Sequence, residues 1–181
     1  TLGGNSTALY ASWVTPAHSD WTITYNTFDP PYGVNFELYN VDGAVIEHNT
    51  FKTTGLGSSG SIFISSELDD SLTSPMVFHG NDVQGNGSGS MVVFTHNLQK
   101  AGTATINGID IDGNTFSNWA SRALLIDKVG VTVSGGINGN KFLSSGQALD
   151  NRNGVLIDAT NNWWGSAVYA TVASKVNGLV T

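Results

Sequence analysis

The 181-residue sequence contains no cysteine, which excludes disulfides, thiolate zinc sites and thiol nucleophiles while leaving the compartment open. Charge is scarce as well: Asp, Glu, Lys and Arg make up 12% of the chain, about half the usual share. Polar contacts must therefore run mainly through amides and hydroxyls. Positive charge is scarcest, with 7 Lys and Arg against 14 Asp and Glu and a net charge of -7. Phosphate neutralisation needs clustered basic residues, and none cluster here. Neither a nucleic acid nor an anionic membrane surface is an expected partner. No apolar run approaches the ~20 residues that cross a bilayer, so no membrane insertion is expected. The sequence has no initiator Met, and Thr1 to Ser6 lack a charged-then-apolar leader pattern, so the chain reads as mature or excised.

What is present is 40% hydrophobic residues, enough for a buried core, together with 22 Gly and abundant Asn, Ser and Thr. One domain is expected from this length. The informative feature is repetition. Six segments share one pattern: Ile23 to Phe28, Ile46 to Phe51, Phe78 to Val83, Ile111 to Phe116, Ile137 to Phe142 and the degenerate Ala159 to Trp164. The asparagine at the centre of each is Asn26, Asn49, Asn81, Asn114, Asn140 or Asn162, spaced 23, 32, 33, 26 and 22 residues apart by subtraction of their numbers. Such periods suit one coil of a solenoid each, the longer ones carrying a loop.

Parity then orients the side chains. Three and five residues before each Asn the positions are mostly apolar, as in Ile46 and Ala44 or Ile111 and Ile109, the alternation of a half-buried strand. The Asn and the Phe two beyond it fall out of phase with that strand. A corner between them restores the phase. The residue before the Asn is Gly80, Gly113, Gly139 or Asn161 in four repeats, types that tolerate the positive φ of a tight arc. Each Asn therefore points inward. A lone buried amide is costly, but six in register at the ~4.8 Å strand spacing can bond one another as a ladder. Phe28, Phe51, Val83, Phe116, Phe142 and Trp164 form the core row beside it. Further strands are expected at Val34 to Tyr39, Ile62 to Ser65, Met91 to Thr95 and Ala123 to Ile126, with loops at Leu68 to Pro75 and Leu98 to Thr103.

This pattern resembles the right-handed parallel β-helix repeat shared by pectin-lyase-like proteins and by many bacterial and archaeal secreted or surface proteins. The likeness covers about residues 8 to 165, and Asp158 to Gly165 resembles the closing coil of such surface proteins. It implies an all-β, right-handed parallel β-helix of about six coils over residues 1–165, with 166–181 as a C-terminal amphipathic helix and tail of the same domain. It also implies an extracellular or cell-surface location. It implies little about activity, because that superfamily mixes lyases, hydrolases and non-enzymatic modules.

The two ends differ. Val168, Val172 and Val176 recur every four residues from Ser166 to Asn177, with Gly178 following, which predicts a short helix over the C-terminal end. A strand is expected over Ala8 to Val14, and its Leu9, Tyr10, Trp13 and Val14 load a free edge heavily with apolar surface. No charge occurs before Asp20, so contact of this end with another domain or subunit, with self-association through the solenoid ends as the extreme, is expected.

Function must lie on outward positions. Two before each Asn the row reads Thr24, Glu47, His79, Asp112, Asn138, Thr160; four before, it includes Asp110 and Asp158; one after, it includes Asp82, Lys141 and Trp163. Glu47, His79 and Asp112 are thus neighbours, with Asp82 and Asp110 close by. Asp110 and Asp112 are the catalytic candidates, since two residues' rise is roughly 6.5–7 Å and inverting glycosidases hold their carboxyls ~6.5–9.5 Å apart. No basic or His-Gly element of a pectinase accompanies them. Zinc is disfavoured, because ligands two strands apart lie ~9.6 Å from each other while each must come within ~2.2 Å of the metal. Calcium on Asp82, Asp110 and Asp112 is possible. The plainest reading is a solvated polar ladder in which His79 relieves the repulsion of its acidic neighbours. His18, His48 and His96 show no partner spacing, and Trp163 is outward, either free to stack on a sugar or covered by the terminal helix, with cover favoured. Asn5 and Asn86 begin glycosylation acceptor triplets.

The expected function is a non-catalytic secreted or cell-surface module, adhesive, carbohydrate-contacting or structural, in a larger extracellular assembly. Its partner is a glycan or another extracellular protein. Two alternatives stand beside it: a polysaccharide hydrolase or lyase using Asp110 and Asp112, and a filament or sheath subunit stacking end to end.

Overall fold

A computed structural model describes residues 9–11, 17–29, 36–52, 62–67, 71–85, 87, 90–96, 104–127 and 129–181. These residues are mostly strand with almost no helix, and the strands form parallel sheets. The first sheet has seven strands in the order Leu9–Ala11, Phe36–Tyr39, Ile62–Ser66, Ser90–His96, Arg122–Ile126, Gln147–Asn151 and Val176–Asn177. The second has five: Thr22–Thr24, Val45–Glu47, Met76–His79, Ile106–Asp112 and Val131–Asn138. The third has five as well: Thr27–Phe28, Thr50–Lys52, Asp82–Gln84, Thr115–Ser117 and Lys141–Phe142. Spatial order thus follows the order of the sequence repeats.

The corner between second and third sheets carries the asparagines. In the second repeat Ile46 is buried, Glu47 is half-buried, His48 turns with φ of 55° and Asn49 is buried. The same positive φ recurs at Tyr25, Gly80, Gly113, Gly139 and Asn161, so all six repeats turn alike, including the two that place Tyr and His there. Beyond the corner each Asn bonds the next. The backbone N–H groups of Asn26, Asn49, Asn81, Asn114 and Asn140 donate to the Oδ1 of the following Asn at 2.8–2.9 Å. Their Nδ2 groups donate to the same oxygens at 3.0–3.3 Å. Nδ2 of Asn49, Asn81, Asn114 and Asn140 also reaches back to the carbonyl of Ile23, Ile46, Phe78 or Ile111. Every buried amide is therefore satisfied within the row.

Two residues on, the aromatic row stacks in parts: Phe28 on Phe51 at 4.9 Å, Phe116 on Phe142 at 5.0 Å, and Phe142 on Trp164 at 4.8 Å between ring centres. Val83 interrupts it. A two-stranded sheet pairs His18–Ser19 with Val41–Asp42, and burial of the apolar rows from these sheets completes one core.

Several sequence expectations need correction. The C-terminal helix is only Tyr169–Ala173 and buries none of its residues. Val176–Asn177 instead pairs with Gln147–Asn151 as the last strand of the first sheet, and Val180 bridges Ile157. A helix this short and rich in β-branched residues is marginal, whereas an open sheet edge offers backbone bonds at once. The strand Gln147–Asn151 was not anticipated. In the fifth repeat register shifts interrupt pairing between Ile106–Asp112 and Val131–Asn138. At the other end Leu9–Ala11 is a strand, while the rest of the expected Ala8 to Val14 segment, the Leu98 to Thr103 loop and the Asn5 and Asn86 acceptors lie outside the described residues.

Candidate functional site

The outward rows meet at the acidic cluster the parity argument singled out. Parallel register sets His79 beside Glu47 on one side and Asp112 on the other. The side chains pair differently. His79 Nδ1 lies 3.5 Å from Glu47 Oε1, and its Nε2 lies 3.2 Å from Asp110 Oδ2, the diagonal neighbour. The Nε2 contact is not aligned for a hydrogen bond, so its attraction is that of an ion pair while the ring is protonated. All three side chains are about one-third exposed, where such pairs contribute little.

Asp112 does not join them. Its carboxylate leans over Gly139, occupying the space a Cβ would need, while Asp110 covers Gly135 in the same way. Glycine at both places makes room for the acids. Asp82 stands beyond the corner on the third sheet, where Gln84 Nε2 donates to its Oδ2 at 2.6 Å. The predicted neighbours Asp82, Asp110 and Asp112 are thus spread over two sheets. Among the described residues no three His, Cys, Asp or Glu side chains converge as metal ligands. Asp158, farther along the outer row, is held below the usual carboxylate range by the Thr160 backbone N–H, which donates to its Oδ1.

Trp163 is 49% exposed, an outward ring. Trp164, half-buried, lines a cleft of about 410 Å³ with Ala159, Tyr169, Val172, Val176 and Val180. The cleft's lining holds none of the acidic row.

Two groupings escaped the sequence reading. The first is at the corner itself: the Tyr25 ring stacks on His48 with centres 5.1 Å apart and planes 21° from parallel. His48, expected to lack a partner, also lies over Gly80, where a Cβ would collide with its ring. Their shared corner position was the available signal. The second is Asp150, whose side chain is 1% exposed. Arg122 Nε lies 3.0 Å and Arg152 Nη2 2.8 Å from its Oδ2, while Asn177 Nδ2 donates to Oδ1 at 2.8 Å. Arg152 two residues from Asp150 was legible as a same-face pair; the reach of Arg122 from the neighbouring strand needed the register. Lys175 is similarly enclosed, donating to the carbonyls of Ser144 at 2.6 Å and Trp164 at 2.7 Å, and burial pushes its amine below the usual lysine range.

Compared with known family models, curated proteins and solved structures, the chain matches none.

Proposed function

We propose that the chain is a right-handed parallel β-helix of about six coils that serves as a non-catalytic, carbohydrate-contacting or adhesive module of a secreted or cell-surface assembly. Support for the β-helix comes from three parallel sheets whose strand order repeats the sequence order, joined at a corner of constant geometry. The functional reading rests above all on one observation. The acids of the outer row are engaged with different neighbours, Asp110 with His79 and Asp112 over Gly139. Canonical glycoside hydrolysis needs two carboxyls flanking one bond. Hydroxyls and amides dominate the rest of that surface, the chemistry that reads sugar hydroxyls.

The secreted location and the glycan or protein partner belong to this proposal. End-to-end stacking stands as a second alternative, since Val176–Asn177 is the edge strand of the first sheet at the C-terminal end. Incubation with a polysaccharide panel tests the reading. Retention on at least one glycan without new reducing ends or unsaturated uronates is expected. Turnover lost in Asp110→Asn would establish the hydrolase or lyase alternative instead.

A further inference from the structure

The six corners share one backbone conformation, yet one of them carries a side chain that the conformation penalises. Among the described residues, the non-glycine positions with positive φ are Asp20, Tyr25, Asn40, His48, Asn118 and Asn161. Asn, Asp and His are the types that visit this region most readily, and a bulky aromatic is an outlier there. Tyr25 is that outlier, at φ of 57°. Burial does not compensate it, since Tyr25 is 79% exposed. Its ring rests on His48 and His48 on Gly80, so the pair is held by stacking while the other face of Tyr25 meets solvent. Folding would be served better by the Gly found at the third, fourth and fifth corners. Strain kept at an exposed ring points to a role outside the fold.

Polar residues stand on both sides of each ring in the chain. Thr24 pairs in register with Glu47 on the second sheet, and Thr27 with Thr50 on the third. An exposed aromatic ring with the hydroxyl residues Thr24 and Thr27 near it in the chain suits a pyranose, whose C–H face stacks on a ring while its hydroxyls bond polar neighbours. The net charge of -7 disfavours a polyuronate. We infer that the open face of Tyr25, backed by His48, is a stacking platform for a neutral pyranose of a polysaccharide. The inference rests on the glycan-contacting reading above and places its subsite at the corner, away from Asp110 and Asp112.

Affinity electrophoresis of the full chain in neutral glucan, mannan, xylan and galactan gels, with polygalacturonate as charged control, tests both levels. Wild type is expected to be retarded by at least one neutral glycan. Tyr25→Gly and Tyr25→Asn are expected to weaken that retardation at least about tenfold, with Tyr25→Phe close to wild type. Their denaturant midpoints are expected to be unchanged or raised, because both residues suit the corner better. Wild-type retardation that survives Tyr25→Gly and Tyr25→Asn overturns the platform and leaves the glycan reading standing. No retardation of wild type by any neutral glycan overturns both. A lowered midpoint in both variants makes the ring a structural element and also overturns the platform.

Discussion

Asn114 donates twice to one atom: its backbone N–H and its Nδ2 both reach Oδ1 of Asn140, at 2.9 and 3.0 Å. The same two-donor contact joins every successive pair from Asn26 to Asn162. Removing one interior member orphans donors and acceptors on both sides. Asn114→Ala is therefore expected to cost about 1–3 kcal/mol, read from urea unfolding. Asn26→Ala should cost less, since Asn26 is exposed and ends the row. Equal losses at the two positions would mean that the buried bonds are not what holds the row.

That row was legible because it breaks phase. A strand alternates, so an Asn and a Phe at the wrong parity demand a corner, and Gly80, Gly113 and Gly139 identify where it is. The parallel strands beside it followed from the repeat spacing. Less was readable where contacts depend on register or on side-chain lean. His79 chooses Asp110 over its direct neighbour Asp112, and Arg122 reaches Asp150, through diagonal geometry that no spacing rule carries. The Val168, Val172, Val176 periodicity misled for another reason. An open sheet edge captured Val176 as strand, and propensity over so few residues could not compete.

Glycine positions separate conformational strain from steric exclusion. At Gly113 an added Cβ meets only the Gly80 backbone at ordinary distance, so Gly113→Ala should cost the left-handed penalty alone, about 1–2 kcal/mol. At Gly178 a Cβ would run into the Asn151 carbonyl, which is backbone and cannot step aside. Gly178→Ala should cost more and release Val176–Asn177 from the sheet. Hydrogen exchange at Ala148 and Leu149, whose N–H groups donate to the Lys175 carbonyl, would report that release.

Asp150 is a buried carboxylate between two arginines and an asparagine amide. Asp150→Asn leaves the Arg122 and Arg152 guanidinium groups facing each other and should cost about 1.5–3 kcal/mol. The loss should change little between low and moderate salt, because the carboxylate is out of water. A loss abolished by salt would indicate a surface pair instead.

Lys175 ties the last segment to Ser144 and Trp164. Lys175→Met should cost about 1–3 kcal/mol by orphaning two carbonyls. Its amine titrates lower in the fold than in the unfolded chain, so between those two values the unfolded state binds more protons and stability rises with pH. The stability gap between wild type and Lys175→Met should therefore widen in urea titrations taken from about pH 7 into the alkaline range. A gap that narrows would contradict the burial of this amine.

For the acidic row, His79→Ala should change stability by no more than about 1 kcal/mol, since the pairs are partly exposed. Calorimetric titration should find weak calcium binding at most. Micromolar affinity abolished by Asp112→Asn would make the row a metal site.

Every outward assignment depends on the asparagines pointing in. Site-resolved hydrogen exchange of their backbone N–H groups tests that placement most directly. Asn49, Asn81, Asn114 and Asn140, which are buried and each donate to the next Oδ1, are expected to exchange far more slowly than exposed Asn26. Fast exchange at Asn81 and Asn114 would put those asparagines in water, reverse the parity of the rows and contradict the account.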